Sequence, residues 1–114
     1  MVSASGLRGS FPLNNESIDK EVAKSGAGTY ALGNLNGEKF QTLYVGRSDR
    51  DLRQKLKTHI GQVTRFKFEQ YSDPKQAFDK ECELYHFLKP RANTAHPKPP
   101  ATQTWKCPEC GSTG

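Results

Sequence analysis

Residues 28–46 read G-T-Y-A-L-G-N-L-N-G-E-K-F-Q-T-L-Y-V-G, two alternating apolar runs either side of Asn36-Gly37. Asn-Gly between such runs is a strong local cue for a β-hairpin, because both residues tolerate the positive φ of a tight turn. A hairpin has two faces, and its turn decides which residues share one. Tyr30 and Tyr44 lie seven residues either side of Gly37. A loop centred on Gly37 sets them opposite each other on one face. A strict two-residue Asn36-Gly37 loop shifts the pairing by one and sends them to opposite faces.

The remaining chain supplies what the hairpin packs against. With 114 residues and 33% apolar content, one small core is expected, with some chain left over as tail. Residues 1–13 are Ser- and Gly-rich and read as a loosely attached arm. A short helix is predicted over 15–24, with Ile18, Val22 and Ala23 on one face, ended by Ser25-Gly26-Ala27-Gly28. Strands are predicted over 29–35 and 39–45, then a turn at Gly46-Arg47-Ser48-Asp49. Ser48 or Asp49 caps an amphipathic helix over 51–60, in which Leu52, Leu56 and Ile60 recur. Residues 64–71 alternate as a third strand, Phe66 and Phe68 on one face and Arg65, Lys67 and Glu69 on a solvated one. Ser72 or Asp73, with Pro74 just inside, opens a helix running to about Leu88, and Pro90 stops it.

The order β-β-α-β-α predicts an α+β domain, a small antiparallel three-stranded meander flanked by helices. The organisation expected is an arm with a short helix (1–27), a core domain (28–93), and a proline-rich segment and tail packed on that domain (94–114), anchored by Trp105.

Charge is concentrated. Between Arg47 and Lys67 stand Arg47, Arg50, Arg53, Lys55, Lys57, Arg65 and Lys67 against Asp49 and Asp51, an excess equal to the +5 of the whole chain. A basic patch of this kind suits a phosphate backbone, so DNA or another nucleic acid is the expected partner. No apolar run reaches membrane-spanning length and the N-terminus carries no secretory pattern, which predicts a cytoplasmic protein without a membrane partner.

The three cysteines include Cys107-Pro108-Glu109-Cys110, metal spacing rather than a disulfide framework. Two more ligands are needed for a tetrahedral Zn2+. Cys82 and His86 stand at i, i+4 on the second predicted helix, about 6 Å apart at the backbone. The expected set is Cys82, His86, Cys107 and Cys110, with His96 the competing histidine, holding a structural ion.

Taken in order, these motifs resemble the GIY-YIG nuclease superfamily over residues 28–93. Gly28-Thr29-Tyr30 is similar to the G-I-Y element and Tyr44-Val45-Gly46 to the Y-I-G element. Glu81, followed by Leu84-Tyr85 and Pro90-Arg91-Ala92-Asn93, is similar to the family's later helix glutamate and its P-x-[YF]-N sequel, without the aromatic before Asn93. The resemblance implies a metal-dependent endonuclease that hydrolyses phosphodiester bonds in DNA. Glu81 would hold Mg2+ or Mn2+, Tyr30 would orient or deprotonate the attacking water, and Tyr44 would bond the phosphate or assist. His59 would match a histidine found in some members, and Asn93 would join the nucleic-acid-binding residues. Both tyrosines must then share a face, which calls for a three-residue or bulged turn around Gly37. The family's helix arginine falls on Lys55, which keeps the charge but loses the bidentate fork on phosphate. That departure motivates the alternative, a non-catalytic or weakly catalytic nucleic-acid-binding module on the same fold. A zinc-stabilised protein adaptor, using the proline-rich segment and Trp105, is the third class.

Overall fold

The computed structural model describes residues 7–23, 26–88, 90, 93, 96–100 and 103–111. Expectations for residues 1–6, Lys24, Ser25, Arg91 and Ala92 fall outside these. The element order is β1 (Arg8–Pro12), α1 (Asn15–Glu21), β2 (Ala27–Asn36), β3 (Lys39–Ser48), α2 (Leu52–Lys57), β4 (Arg65–Tyr71) and α3 (Pro74–Leu88).

The α+β class stands, with two corrections to the sheet. It has four strands, in the order β1-β4-β2-β3, and every pairing is antiparallel. Residues 8–12, expected in a loose arm, form the edge strand β1 against β4. The arrangement is not a meander either, because β4 returns past the hairpin to pair with β2 rather than β3. β4 has few polar edges to spare: Phe66 and Phe68 are fully buried and the alternate residues are half-buried.

Alternation along β2 divides the interior. Tyr30 and Leu32 join Phe66 and Phe68 beneath α1 and α2, with Ile18, Leu52 and Leu56. Ala31 and Val45 point the other way and meet Leu84 of α3. The sheet is thus covered on both faces, and the face of β4 expected to be solvated lies on the α3 side. α3 is keyed to β2 by Thr29, whose hydroxyl donates to the Ala77 carbonyl at 2.7 Å.

The hairpin turn is the two-residue loop Gly37-Glu38, with Asn36 paired to Lys39 and Gly37 at φ 65°. The irregularity expected around Gly37 lies further along. Gly33 pairs with Thr42 but Leu32 pairs with Tyr44, so Leu43 is an extra residue in β3. Without that bulge Tyr44 would sit on the face opposite Tyr30; with it, the two rings share a face, 6.2 Å apart.

The turn expected at Gly46-Arg47-Ser48-Asp49 is strand as far as Ser48. Neither Ser48 nor Asp49 caps α2 directly. Asp51 does, accepting from Gln54 N–H at 3.0 Å, while the Ser48 hydroxyl oxygen accepts from Asp51 N–H. α2 stops at Lys57, three residues before its expected end, and winds on through i→i−3 bonds that leave Ile60 exposed. β3 is a sheet edge, and Asn93 closes it at Val45: the side chain accepts from Val45 N–H at 2.8 Å and donates to its carbonyl at 2.9 Å.

Gly46 is required by packing. A Cβ there would lie 2.5 Å from Tyr30 Oη and 2.9 Å from the Tyr44 ring. Gly46→Ala is expected to lose about 1–3 kcal/mol by overpacking, read as a lower urea midpoint at unchanged slope.

Candidate functional site

Three side chains from three elements converge above Gly46. Tyr30 comes from β2, Tyr44 from the residue after the bulge in β3, and His59 from the turn that follows α2. The His59 ring lies 5.5 Å from Tyr30 and 5.8 Å from Tyr44, centroid to centroid. Tyr30 Oη and His59 Nε2 are 3.0 Å apart, and His59 Nδ1 and Gln62 Oε1 are 2.9 Å apart. An amide oxygen only accepts, so Nδ1 donates to Gln62 and Nε2 is the nitrogen that meets the Tyr30 hydroxyl. Gln62 is held there by its own backbone, which donates to the His59 carbonyl at 3.0 Å. Sequence reasoning missed Gln62; the available signal was an amide three residues after a histidine at a helix end.

The two tyrosines differ in access. Tyr30 is fully buried, whereas Tyr44 is half-buried and opens onto a cleft of about 460 Å3. Burial raises the Tyr30 hydroxyl far above its ordinary pKa, and the charges of Tyr44 and Glu81 add to it. Burial and Glu81 also raise Tyr44, the Tyr30 hydroxyl offsetting part. Both stay protonated at neutral pH.

Glu81 and Glu83 separate clearly. Glu83 is exposed and pairs with Lys80 at 3.3 Å, while Glu81 is buried. Glu81 Oε1 accepts from Arg47 Nη1 at 2.7 Å, Asp49 Oδ1 accepts from Arg47 Nε at 2.9 Å, and the Lys98 carbonyl accepts from Arg47 Nη2. The guanidinium also lies over the Phe78 ring at 5.0 Å. A Mg2+ centre needs carboxylate oxygen and room for several waters. Here the space between Glu81 and Asp49 holds a guanidinium instead, so these residues as arranged do not fit that ion.

The basic patch is largely spent on the fold. Arg47 is internal. Arg53 donates to the Asp19 and Val22 carbonyls at the end of α1, and Lys57 pairs with Asp19 at 2.7 Å. Arg65 donates to Ser10, and Lys67 lies over the Phe40 ring at 4.9 Å, its pKa lowered by burial. Arg50 and Lys55 are exposed and free to meet a phosphate. Lys55 touches none of the tyrosine cluster, though it stands one helical turn before His59. Asn93, expected at a nucleic acid, has both ends of its amide on Val45.

A second constellation closes the C-terminal segment over α3. The ligand atoms of His86, His96, Cys107 and Cys110 all lie within 4.8 Å of one another, a donor set suited to a structural metal such as zinc. Nε2 of His86 and His96 are 3.1 Å apart, and Cys110 Sγ is 3.4 Å from His96 Nε2. Tetrahedral zinc would hold its ligands about 3.3–3.8 Å apart, so these edges need little adjustment. The expected set is corrected at one position, where His96 replaces Cys82. Cys82 is fully buried with Phe78 and Cys107, and Trp105 packs beside them, its ring 5.8 Å from that of Phe78. Burial, then the Cys107 thiol, push the Cys82 thiol up. Burial also works against the Cys107 thiolate, but the backbone N–H groups of Cys110 and Glu109, with Cys82 and His96, bring it down to about 6. The helix spacing found His86 but could not show that the chain after Pro90 folds back and lays His96 upon it.

No protein-family model, curated protein or solved structure matches the chain. Among the described residues no helix is long and apolar enough to cross a membrane.

Two outcomes follow. In Co2+ titrations read by visible absorption, His96→Ala should weaken binding at least tenfold, whereas Cys82→Ala should leave one ion per chain. Burial raises the Glu81 carboxyl, the Arg47 hydrogen bond and charge offsetting only part. Above about pH 4.3, where the unfolded carboxyl ionises, the folded chain keeps this proton longer. Its contribution to stability therefore falls as pH rises towards the folded value. Glu81→Gln should flatten that decline in chemical-denaturation curves taken across the acidic range.

Proposed function

We propose that this protein is a nucleic-acid phosphodiester hydrolase of the GIY-YIG type, acting as an endonuclease on DNA. The observation that carries the reading is the Tyr44–Tyr30–His59 cluster, set at the mouth of a cleft with an oriented imidazole behind it. The roles differ from those the resemblance implies. Tyr30 is sealed from solvent, so Tyr44 is the tyrosine that meets the attacking water and the phosphate. His59 lines the same cleft as Tyr44 and is bonded from behind by the Tyr30 hydroxyl, so the imidazole is the group placed to receive the proton. Lys55 and Arg50 are the cations available to the phosphate backbone. The His86, His96, Cys107 and Cys110 centre is a structural zinc site in this reading, because four protein ligands leave no open position.

A second reading has its own support. Arg47 closes Glu81 and Asp49 into one ion-paired unit, which favours a module that binds nucleic acid without turnover.

Supercoiled plasmid incubated with Mg2+ or Mn2+, and separately with EDTA, decides between them. Cleavage should fall at least a hundredfold in Tyr44→Phe and in His59→Ala. Salt-sensitive binding with no cleavage under any of these conditions would select the second reading.

A further inference from the structure

The cleft beside Tyr44 has a composition that phosphate binding does not explain. Its lining is Leu32, Leu43 and Val63 together with Tyr44, His59 and Gln62. Leu43 is the bulge residue itself, so the same irregularity that turns Tyr44 onto this face also supplies an apolar wall. A void of about 460 Å3 admits a planar ring system with room to spare. Gln62 Oε1 is engaged by His59, which leaves the Gln62 amide protons for a polar ring edge.

We propose that this cleft is a nucleobase subsite, which takes one unstacked base of a single-stranded or locally opened nucleic-acid strand. The inference rests on the nucleic-acid reading of the Tyr44–His59 site and adds the form of substrate that the cleft would take. Within a duplex a base is stacked on both faces and its edge is paired, so it cannot enter an apolar cleft. An unpaired base can pack against the Tyr44 ring and the aliphatic wall, and its edge can accept from Gln62. Lys55, exposed and one turn ahead of His59, is a cation available to the adjoining phosphate. Gln62, one of the cleft's lining residues, is exposed.

The test is equilibrium binding by the metal-loaded full chain in magnesium-free buffer. The probes are a 12-nucleotide single strand carrying one 2-aminopurine, the same sequence fully paired, and adenosine 5′-monophosphate. The single strand should bind about tenfold tighter than the duplex, with a change in 2-aminopurine emission as the base stacks. Leu43→Ala and Val63→Ala, both at positions that are not fully buried, should each lower single-strand affinity threefold or more and leave duplex affinity unchanged. Equal affinity for the two strand forms would overturn the proposal. So would variants that fail to discriminate, or a monophosphate that binds as tightly as the strand. The measurement involves no cleavage: selective single-strand binding by a chain that cuts nothing leaves the subsite standing and removes only the hydrolase.

Discussion

One extra residue in β3 governs the candidate site. The side-chain period of a strand is two, so inserting Leu43 moves everything beyond it to the other face relative to β2. Tyr44 is thereby set over Leu32 and beside Tyr30, and Gly46 opposite Tyr30. Gly46 leaves the space into which the Tyr30 hydroxyl reaches, and that hydroxyl then meets His59. The short Gly37-Glu38 loop does nothing to bring the tyrosines together; by itself it would part them. A bulge costs ladder hydrogen bonds locally, and here β2, itself held by β4 on its other edge, keeps the register of β3 on both sides of it.

The local parts of the fold were legible. Alternation of Phe66 and Phe68, the Leu52–Leu56 repeat and Pro74 at a helix start each reflect a single element's own period, and each element is present. What escaped was set by pairing across the chain. β1 carries a Gly and a Ser and little apolar pattern, and it becomes a strand because β4 offers it an edge. The meander expectation failed for the same reason: nothing in the hairpin states that β4 will choose β2. The turn expected after Val45 is strand because Gly46 and Arg47 pair with Tyr30 and Thr29.

The site was legible by residue type and less so by role. Tyr30, Tyr44 and His59 meet as their types suggest, while Lys55 is exposed on α2. The basic patch shows how a count of charges misleads. Arg53 and Lys57 secure α1 to α2, and Arg65 secures β1 to β4, so three cations that looked available are committed to the protein's own carbonyls and carboxylate. Arg47 is the clearest case. A sequence places it beside a glycine after a strand; burial with two carboxylates and an aromatic face makes it the cation of the α3 side. A guanidinium is planar and weakly hydrated compared with an ammonium or a divalent ion, which suits it to that enclosed position.

The chain after α3 connects these pieces. Asn93 docks on Val45, the Lys98 carbonyl caps Arg47, and Trp105 lies against Phe78, so the segment touches β3, the ion pair and α3 in turn. Among the described residues of this proline-rich strap, Pro90, Pro97 and Cys107 are buried as well. The histidine and cysteine cluster lies along the same strap, with His86 fixed on α3 and the other three ligands on the strap itself. A metal bound there would fasten the segment to the helix and so keep Lys98 against Arg47, and Arg47 against Glu81. The cluster and the ion pair thus both involve one segment: the Lys98 carbonyl on that segment is one of three acceptors around the Arg47 guanidinium, beside Asp49 and Glu81.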